Sequence, residues 1–532
     1  MSNIYSLLRK LMLKRKHMQQ STIIGLDIGT TSTKAVAFGL DGQVKYRQSE
    51  EYPILSEEPG QAEQDPEQVF EAVLSTLGKV VAWLQVHGYK LEGVSFSSAM
   101  HSLIAMDATG NALTRCIIWA DTRSQSCASA IKNSEAGREI YLRTGTPIHP
   151  MSPLSKLCWL SEEKPELFRS ASKFIGIKTY VLYRLFGKYK VDYSLASATG
   201  LFDIFDFDWH EKALEMAGVE PGQLPEPVPS TYTFRNLKPG YAALLQVPDQ
   251  LPFVIGASDG CLANLASHGI RPGEAVVTIG TSGAVRTMAH KPATDLRERL
   301  FSYILNEDHF VLGGAVNNGG VALRWFRDAF YAAETAEALA KDQDIYELLN
   351  EVAEGIAPGA DGLLFLPYLL GERAPVWDGA ARACFIGANF NHTRAHFLRA
   401  VMEGVIFGVY SVVEALEQVA GPMPVIYANG GFAFSELWVQ MLADVSGKKV
   451  LLTESPEGSA FGAAIMGMFA LKLIPSLEAA EDMIRISETF EPDSQRHELY
   501  QQQYAVFKAL YPKLKDSFEH LTNIHERQAE KQ

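Results

Sequence analysis

Twice along this chain an apolar run breaks at a glycine turn rich in hydroxyl groups and then resumes. Ile23, Ile24, Leu26 and Ile28 lead into Gly29-Thr30-Thr31-Ser32-Thr33, after which Ala35-Val36-Ala37-Phe38 continues. Residues 275–279 lead into Gly280-Thr281-Ser282-Gly283, and 284–287 continue. Each segment reads as strand, tight turn, strand. The two turns share Ile-Gly-Thr followed by a hydroxyl and lie about half the chain apart, which suggests a duplicated domain, although an echo this short carries little weight alone. Asp41-Gly42 is a further turn signal and 43–48 can return as a third strand, so an antiparallel meander opens the first half.

The rest of the chain fills in around these turns. Residues 65–85 predict an amphipathic helix, with Pro66 in its first turn and Val69, Phe70, Val73, Leu74 and Leu77 at helical spacing. A strand at 93–96 stops at Ser97-Ser98-Ala99-Met100-His101, and a second start near Pro252 gives a buried strand at 252–257 that ends at Ser258-Asp259-Gly260. Helices are expected at 395–416 and 435–445, with Met402 and Met441 in the core. Residues 460–470 predict a small-residue helix suited to close packing, and 494–525 a polar-faced closing helix. The expected domains are a dispensable basic leader at 1–20, an N-terminal domain at 21–253, a C-terminal domain at 254–480 and a helical tail at 481–532.

Composition narrows the function. A chain of 532 residues holds two to four domains. With 47% hydrophobic and 21% charged residues it is an ordinary globular protein. A net charge of −14 gives no general attraction to nucleic acid or anionic membrane, so an anionic ligand must be held by local donors. The five cysteines show no CxxC or other metal-ligand spacing, which fits reduced thiols in the cytoplasm. The best apolar runs, 362–371 and 459–471, fall short of the roughly 18 residues that span a bilayer. The leader carries Arg9, Lys10, Lys14, Arg15 and Lys16 but too short an apolar stretch for a secretory signal, and a chain starting at Met18 is expected to function.

Neither GxxxxGK[ST] nor GxGxxG occurs. The two glycine turns instead offer consecutive backbone N–H groups and the hydroxyls of Thr30, Thr31, Thr33, Thr281 and Ser282, suited to phosphate oxygens. Asp27 precedes the first turn and Lys34 follows it. A carboxylate beside a phosphate nest calls for a divalent cation such as Mg²⁺; an ordinary hairpin is the competing reading. Asn429-Gly430-Gly431-Phe432-Ala433-Phe434-Ser435 follows a strand and precedes a helix, so backbone there can approach a nucleotide closely. The 313–320 stretch, with Asn317 and Asn318, is polar and glycine-rich. Asp259 at the end of a buried strand suits a general base, or a cap. Met100, His101, Asp121, Arg123 and His149 sit at the ends of apolar runs, each a candidate substrate contact or a structural hydrogen bonder.

Together these residues resemble the FGGY carbohydrate kinases, over residues 22–470. Met151-Ser-Pro-Leu-Ser-Lys156-Leu-Cys-Trp159-Leu-Ser-Glu162-Glu163 looks like the family's first signature, and Ala383-Cys-Phe-Ile-Gly387 with His396-Phe397 and Ala400-Val401-Met402-Glu403 like its second. Ala388 stands where a larger aliphatic is usual, and Phe434 where a basic residue is common. Trp119-Ala-Asp121-Thr-Arg123-Ser124, the 143–153 segment and Val191-Asp-Tyr-Ser-Leu-Ala-Ser197 resemble members that phosphorylate gluconate more than those acting on xylulose or glycerol.

The resemblance implies an α/β fold of two ribonuclease-H-like domains, of the actin and hexokinase superfamily, with a cleft between them that holds ATP against the second and sugar against the first. It makes Asp259 the base and Asp27 the magnesium-side carboxylate, with Asp259 also near the metal. Thr30, Thr31, Thr33, Lys34, Gly280, Thr281, Ser282, Asn318, Gly430, Gly431 and Ser435 become phosphate and nucleotide contacts. Met100, His101, Asp121, Arg123, His149 and Lys156 become sugar contacts, the last three with Arg123 foremost being candidates for a substrate carboxylate. ATP and Mg²⁺ are the implied cofactors, and a small sugar acid or sugar is the implied partner, with a homodimer left open. The alternatives are a xylulose or other polyol kinase, a sugar sensor without catalysis, and an actin-like ATPase.

Overall fold

The computed structural model describes residues 20–454 and 457–529. The expected leader and the start at Met18 lie outside the described residues. The chain forms two compact units, one of residues 1–266, 303–309 and 455–484, the other of 267–302, 310–454 and 485–532.

In the first unit β1 (Ser21–Ile28), β2 (Ser32–Gly39) and β3 (Val44–Glu51) form the expected meander. Helix α1 (Pro66–Val86) follows, capped where Asp65 accepts the Glu67 N–H at 2.8 Å. It buries Val69, Phe70, Val73, Leu77, Val80 and Leu84, one helical face, against the sheet. Strand β4 (Lys90–Ser98) then runs parallel to β1. Later come α2 (Gln125–Lys132), α3 (Pro153–Glu163), α4 (Ile177–Phe186), α5 (Tyr193–Ser197), β5 (Thr233–Phe234), β6 (Phe253–Ser258) and α6 (Asp259–Ala266). Strand β6 is parallel to β4, and the sheet order is β5–β6–β4–β1–β2–β3.

The second unit repeats this order. Its strands β7 (Glu274–Ile279), β8 (Gly283–Ala289) and β9 (His309–Val316) form an antiparallel meander. Strand β10 (Val425–Asn429) is parallel to β7, β11 (Lys449–Glu454) is parallel to β10, and β12 (Arg485–Phe490) is antiparallel at the edge. The run β9–β8–β7–β10–β11–β12 therefore matches β3–β2–β1–β4–β6–β5 strand for strand. The short Ile-Gly-Thr echo marks a duplicated sheet. Helices α7 (Gly320–Phe330), α8 (Arg394–Ala420), α9 (Glu436–Ser446) and α10 (Ser494–Ala529) complete the elements that matter below.

The expected boundaries need correction. A split at 253/254 would cut β6 away from its parallel partner β4, so the first unit continues to Ala266. The expected 254–480 domain also loses residues 303–309 and 455–480 to the first unit. Helix Gly458–Ala470 lies on β1 so closely that a Cβ at Gly25 would fall 1.9 Å from the Ala460 carbonyl oxygen. That is the close packing its small residues predict. Of the expected separate tail at 481–532, residues 485–532 are part of the second unit, through β12 and α10.

Among the described residues two helices, Pro66–Val86 and Arg394–Ala420, are long and apolar enough by length and composition to cross a membrane, although charged and polar residues interrupt their apolar runs. Half of the apolar window in the first and 78% of that in the second are packed inside the protein.

Within α8, Arg399 and Glu403 form a buried ion pair of 2.7 Å, four residues apart. Tyr500 on α10 accepts from Arg399 at 2.9 Å and donates to Glu403 at 2.8 Å, and the Gly359 N–H adds a third bond to that carboxylate. Glu403→Ala is expected to cost about 3–5 kcal/mol, because it leaves the Arg399 charge buried and uncompensated. Chemical denaturation should show that loss, and Arg399→Met combined with Glu403→Leu should recover much of it.

Candidate active site

Strands β1, β4 and β6 of the first unit run parallel and end along one edge of their sheet. Asp27 pairs in register with Ser97, and Ser97 with Ala257, so the ends of β1 and β6 stand two strand spacings, about 10 Å, apart. Such carboxyl-terminal edges are where open α/β sheets bind ligands. Asp27 lies at the end of β1, His101 just beyond β4, and Asp259 at the first position of α6 after β6. The register of β6 shifts between Val254 and Ala257, where Gly256 has φ of +68°. A Cβ at Gly256 would sit 1.8 Å from the Phe96 carbonyl oxygen, so this re-aimed strand end requires glycine. Asp259 is half-buried and its Oδ1 accepts the Gly260 N–H at 2.7 Å, so it also takes part in starting its helix.

A buried cation anchors this edge. Lys178 on α4 is 1% exposed, lies 2.6 Å from Asp192 Oδ2, and donates to the Ala257 carbonyl at 3.1 Å. Burial lowers its pKa, against the pull of Asp192 and, further off, of Asp259 and Asp27. Asp192 caps α5 by accepting the Leu195 N–H, and the Ser194 hydroxyl on that helix donates to the Ser258 hydroxyl at 2.9 Å and accepts the Ser258 N–H at 3.1 Å. Lys178, Asp192 and Ser194 thus grip the two residues before Asp259. Sequence reasoning missed this role. In the sequence the 191–197 segment carries only its family likeness, and no local pattern pairs it with Lys178.

His101 has φ of +66° and is 9% exposed. Its Nδ1 lies 2.7 Å from the Ala198 carbonyl, an acceptor only, so Nδ1 carries a proton, and in the neutral ring Nε2 is the acceptor nitrogen. His149 is the opposite case. Its Nδ1 accepts the Met151 N–H at 3.2 Å, which puts the proton of the neutral ring on Nε2. Met100 is half-buried beside His101.

Several expected contacts have other duties. Lys156 is fully buried and donates to the carbonyls of His101 at 2.6 Å, Ile118 at 2.8 Å and Ile117 at 3.4 Å. It is a backbone clamp holding the His101 loop, not a ligand for a substrate carboxylate. Burial pushes its pKa down to about 7, with Asp121 opposing. Asp121, 1% exposed, accepts the Ala62 and Arg123 N–H groups as well as the Arg123 guanidinium. Arg123 also pairs with Glu63 at 2.5 Å and lies over the Trp159 ring. Its charge is already balanced by two carboxylates, which corrects the expectation that it meets a third.

Around the first glycine turn, Thr30 accepts from Trp119 Nε1 at 3.0 Å and Thr31 is exposed. Thr33, in contrast, is fully buried beside the Tyr52 hydroxyl, and Lys34 pairs with Glu457 at 2.8 Å. Strand alternation turns Thr33 inward, so its hydroxyl is not placed as a phosphate donor, whereas Lys34 faces the other way, partly exposed and engaged by Glu457.

The second unit contains a cavity of about 590 Å³, within the range of small-molecule sites. The second glycine turn and the Gly430-Gly431 turn meet on its wall, through Gly280, Thr281, Gly431 and Ser435. Thr278 donates to Asn429 at 2.8 Å, tying the strand ends that carry the two turns. Gly430 has φ of +100°, and a Cβ there would lie 2.5 Å from the Ile279 carbonyl oxygen. Ser435 caps α9 and donates to Asn350 at 2.8 Å. Ser282 is exposed on its turn. The wall also includes Leu323, Tyr346, Phe432 and Trp438, an apolar lining, and Arg324, whose guanidinium donates to Thr281 at 3.3 Å. Arg324 places a cation on this wall from a helix more than a hundred residues before Phe434. Asn318 corrects another expectation. It is 1% exposed and spends its amide on Gly371, Glu372 and Leu370.

The carboxylates at the first unit's strand ends fit Mg²⁺. Asp27 Oδ2 accepts the Ser459 hydroxyl at 2.8 Å, while the buried Oδ1 has no hydrogen-bond partner. An unpartnered carboxylate oxygen is what a hard cation takes.

Residues 22–266 match the N-terminal domain of the FGGY family of carbohydrate kinases, and 275–471 match the C-terminal domain. The chain is 47% identical over 465 residues to a gluconokinase from Bacillus subtilis, covering 87% of this chain and 90% of that protein. Crystal structures of a gluconate kinase and of a ligand-bound xylulose kinase, both from Lactobacillus acidophilus, each superpose with a TM-score of 0.89 at 32% identity. Each covers 94% of this chain, and the chain spans 99% and 100% of them respectively. With both family domains matched in order and the duplicated sheet they require in place, the chain belongs to the FGGY family and is a carbohydrate kinase.

Proposed function

We propose that this kinase transfers the γ-phosphoryl group of ATP to the primary hydroxyl of D-gluconate, giving 6-phospho-D-gluconate. The observation that carries the substrate is the likeness of nearly half the residues to a gluconokinase along most of both chains. Fold likeness favours neither sugar, since the xylulose kinase superposes as well as the gluconate kinase. A pentulose substrate is therefore the second reading.

Asp259 accepts the proton of the attacking hydroxyl as the phosphoryl group moves in line, and the strand-end grip on Ala257 and Ser258 keeps that carboxylate in position. His101, with Nε2 as acceptor, receives a sugar hydroxyl. Of the three candidates for the substrate carboxylate we retain His149, half-buried, with its Nδ1 accepting the Met151 N–H. The apolar wall of the second unit's cavity takes the adenine, and the Gly280-Thr281-Ser282 turn with Arg324 holds phosphate oxygens. Mg²⁺ on Asp27, with Asp259 nearby, neutralises phosphate charge when bound.

A coupled assay over gluconate, xylulose, glycerol and no sugar tests the reading. Gluconate should exceed xylulose in kcat/KM by at least tenfold; equal values would remove the acid-specific assignment. Turnover of ATP unaffected by any sugar would point instead to an ATPase of the actin type. Asp27→Asn should raise the magnesium concentration needed for half-maximal rate and spare gluconate binding measured by calorimetry. Gly430→Ala, which drives a methyl group into the Ile279 carbonyl at a strained φ, should raise KM for ATP and leave that for gluconate near wild type.

A further inference from the structure

Outside the site, α2 and α3 bring two thiols and a carboxylate together. Cys127 lies on α2, while Cys158 and Glu162 are four residues apart on one face of α3. One ligand atom from each lies within 4.8 Å of the others. Cys127 Sγ is 3.3 Å from Glu162 Oε2, and Cys158 Sγ is 3.6 Å from Oε1. Tetrahedral zinc, with Zn–S of about 2.3 Å and Zn–O of about 2.0 Å, separates sulfur from oxygen by about 3.5 Å. Each sulfur already stands at about that separation from a Glu162 oxygen, Cys127 from Oε2 and Cys158 from Oε1. Spacing along the sequence could not show this, because Cys127 comes from a different helix.

We propose that Cys127, Cys158 and Glu162 form a Zn²⁺ site that pins α2 to α3 and leaves the fourth coordination position to water. Soft thiolates select zinc over the magnesium that the phosphoryl transfer uses, so the two metals do not compete for one site. Before binding, both sulfurs are thiols that donate to Glu162. Burial raises both pKa values, that of Cys158 to about 12. On binding, two S–H bonds break, their protons pass to solvent, and two Zn–S bonds form with no change of oxidation state. The site bears on the kinase because α3 also carries Lys156, which clamps the His101 loop, and Trp159, on which Arg123 lies. It stands on its own geometry and does not depend on which sugar the enzyme takes.

The test uses the full chain, stripped with a chelator and kept reduced by a non-thiol reductant, with Co²⁺ as the spectroscopic probe. One equivalent of Co²⁺ should give a thiolate-to-cobalt charge-transfer band that Zn²⁺ abolishes, and Zn²⁺ should raise Tm. Cys158→Ala should lose the band and the rise in Tm, and the exposed Glu162→Gln should weaken Zn²⁺ by about tenfold or more. No band in the wild type, or a band unchanged in both variants, would overturn the proposal. So would a wild-type mass two daltons lower after exposure to air with metal binding absent, since the thiols would then form a disulfide. If Cys158→Ala does not fold, Glu162→Gln decides, and unaltered Zn²⁺ affinity there rejects the site.

Discussion

Replacing Asp259 by asparagine is expected to lower kcat by about 10²–10⁴-fold while gluconate and ATP still bind, because the shape is kept and the proton acceptor is lost. Calorimetric binding of each ligand to Asp259→Asn beside the steady-state rate is the measurement. Turnover near the wild-type rate would show that Asp259 is not the base. Asp259 and Asp27 should fail differently. A changed magnesium requirement belongs to Asp27, whose Oδ1 is buried without a partner, and a lost chemical step belongs to Asp259.

Lys178→Met is expected to damage both stability and turnover. The substitution leaves Asp192 buried and unpaired, a cost of about 3–5 kcal/mol. It also releases the Ala257 carbonyl, two residues before the base, so kcat should fall at least tenfold with the KM values for gluconate and ATP little changed. Lys178→Arg, which keeps the charge, should recover part of the rate. A purely structural role would lower Tm and leave the kcat of the folded fraction intact. The double variant Lys178→Met with Asp192→Leu should be more stable than Lys178→Met alone, as contacting partners are not additive.

Much of the fold was legible because it rests on local chemistry. The meander follows from apolar runs broken at Gly29 and at Asp41-Gly42, and α1 from the spacing of Val69, Phe70, Val73 and Leu77 together with Pro66. The small residues of 460–470 announced close packing, and Gly25 under Ala460 shows where it occurs. Asp27 and Asp259 were legible as strand-end carboxylates, since a buried run followed by Asp-Gly or Asp-Ile-Gly leaves few other places for the charge.

What sequence by itself determined was therefore the elements, the duplication hinted at by Ile-Gly-Thr, and the family. Tertiary structure decided which polar groups are available. Thr33 and Asn318 looked like ligand donors but are buried and bonded, and Lys156 and Arg123 looked like free cations but are held by carbonyls and carboxylates. It also decided the neighbours that no spacing encodes: Arg324 beside Thr281, Lys178 beside Asp192, and Cys127 beside Cys158 and Glu162. The reason is physical. Period and turn chemistry are written in adjacent residues, whereas the burial and pairing of a charge depend on which distant segment packs against it.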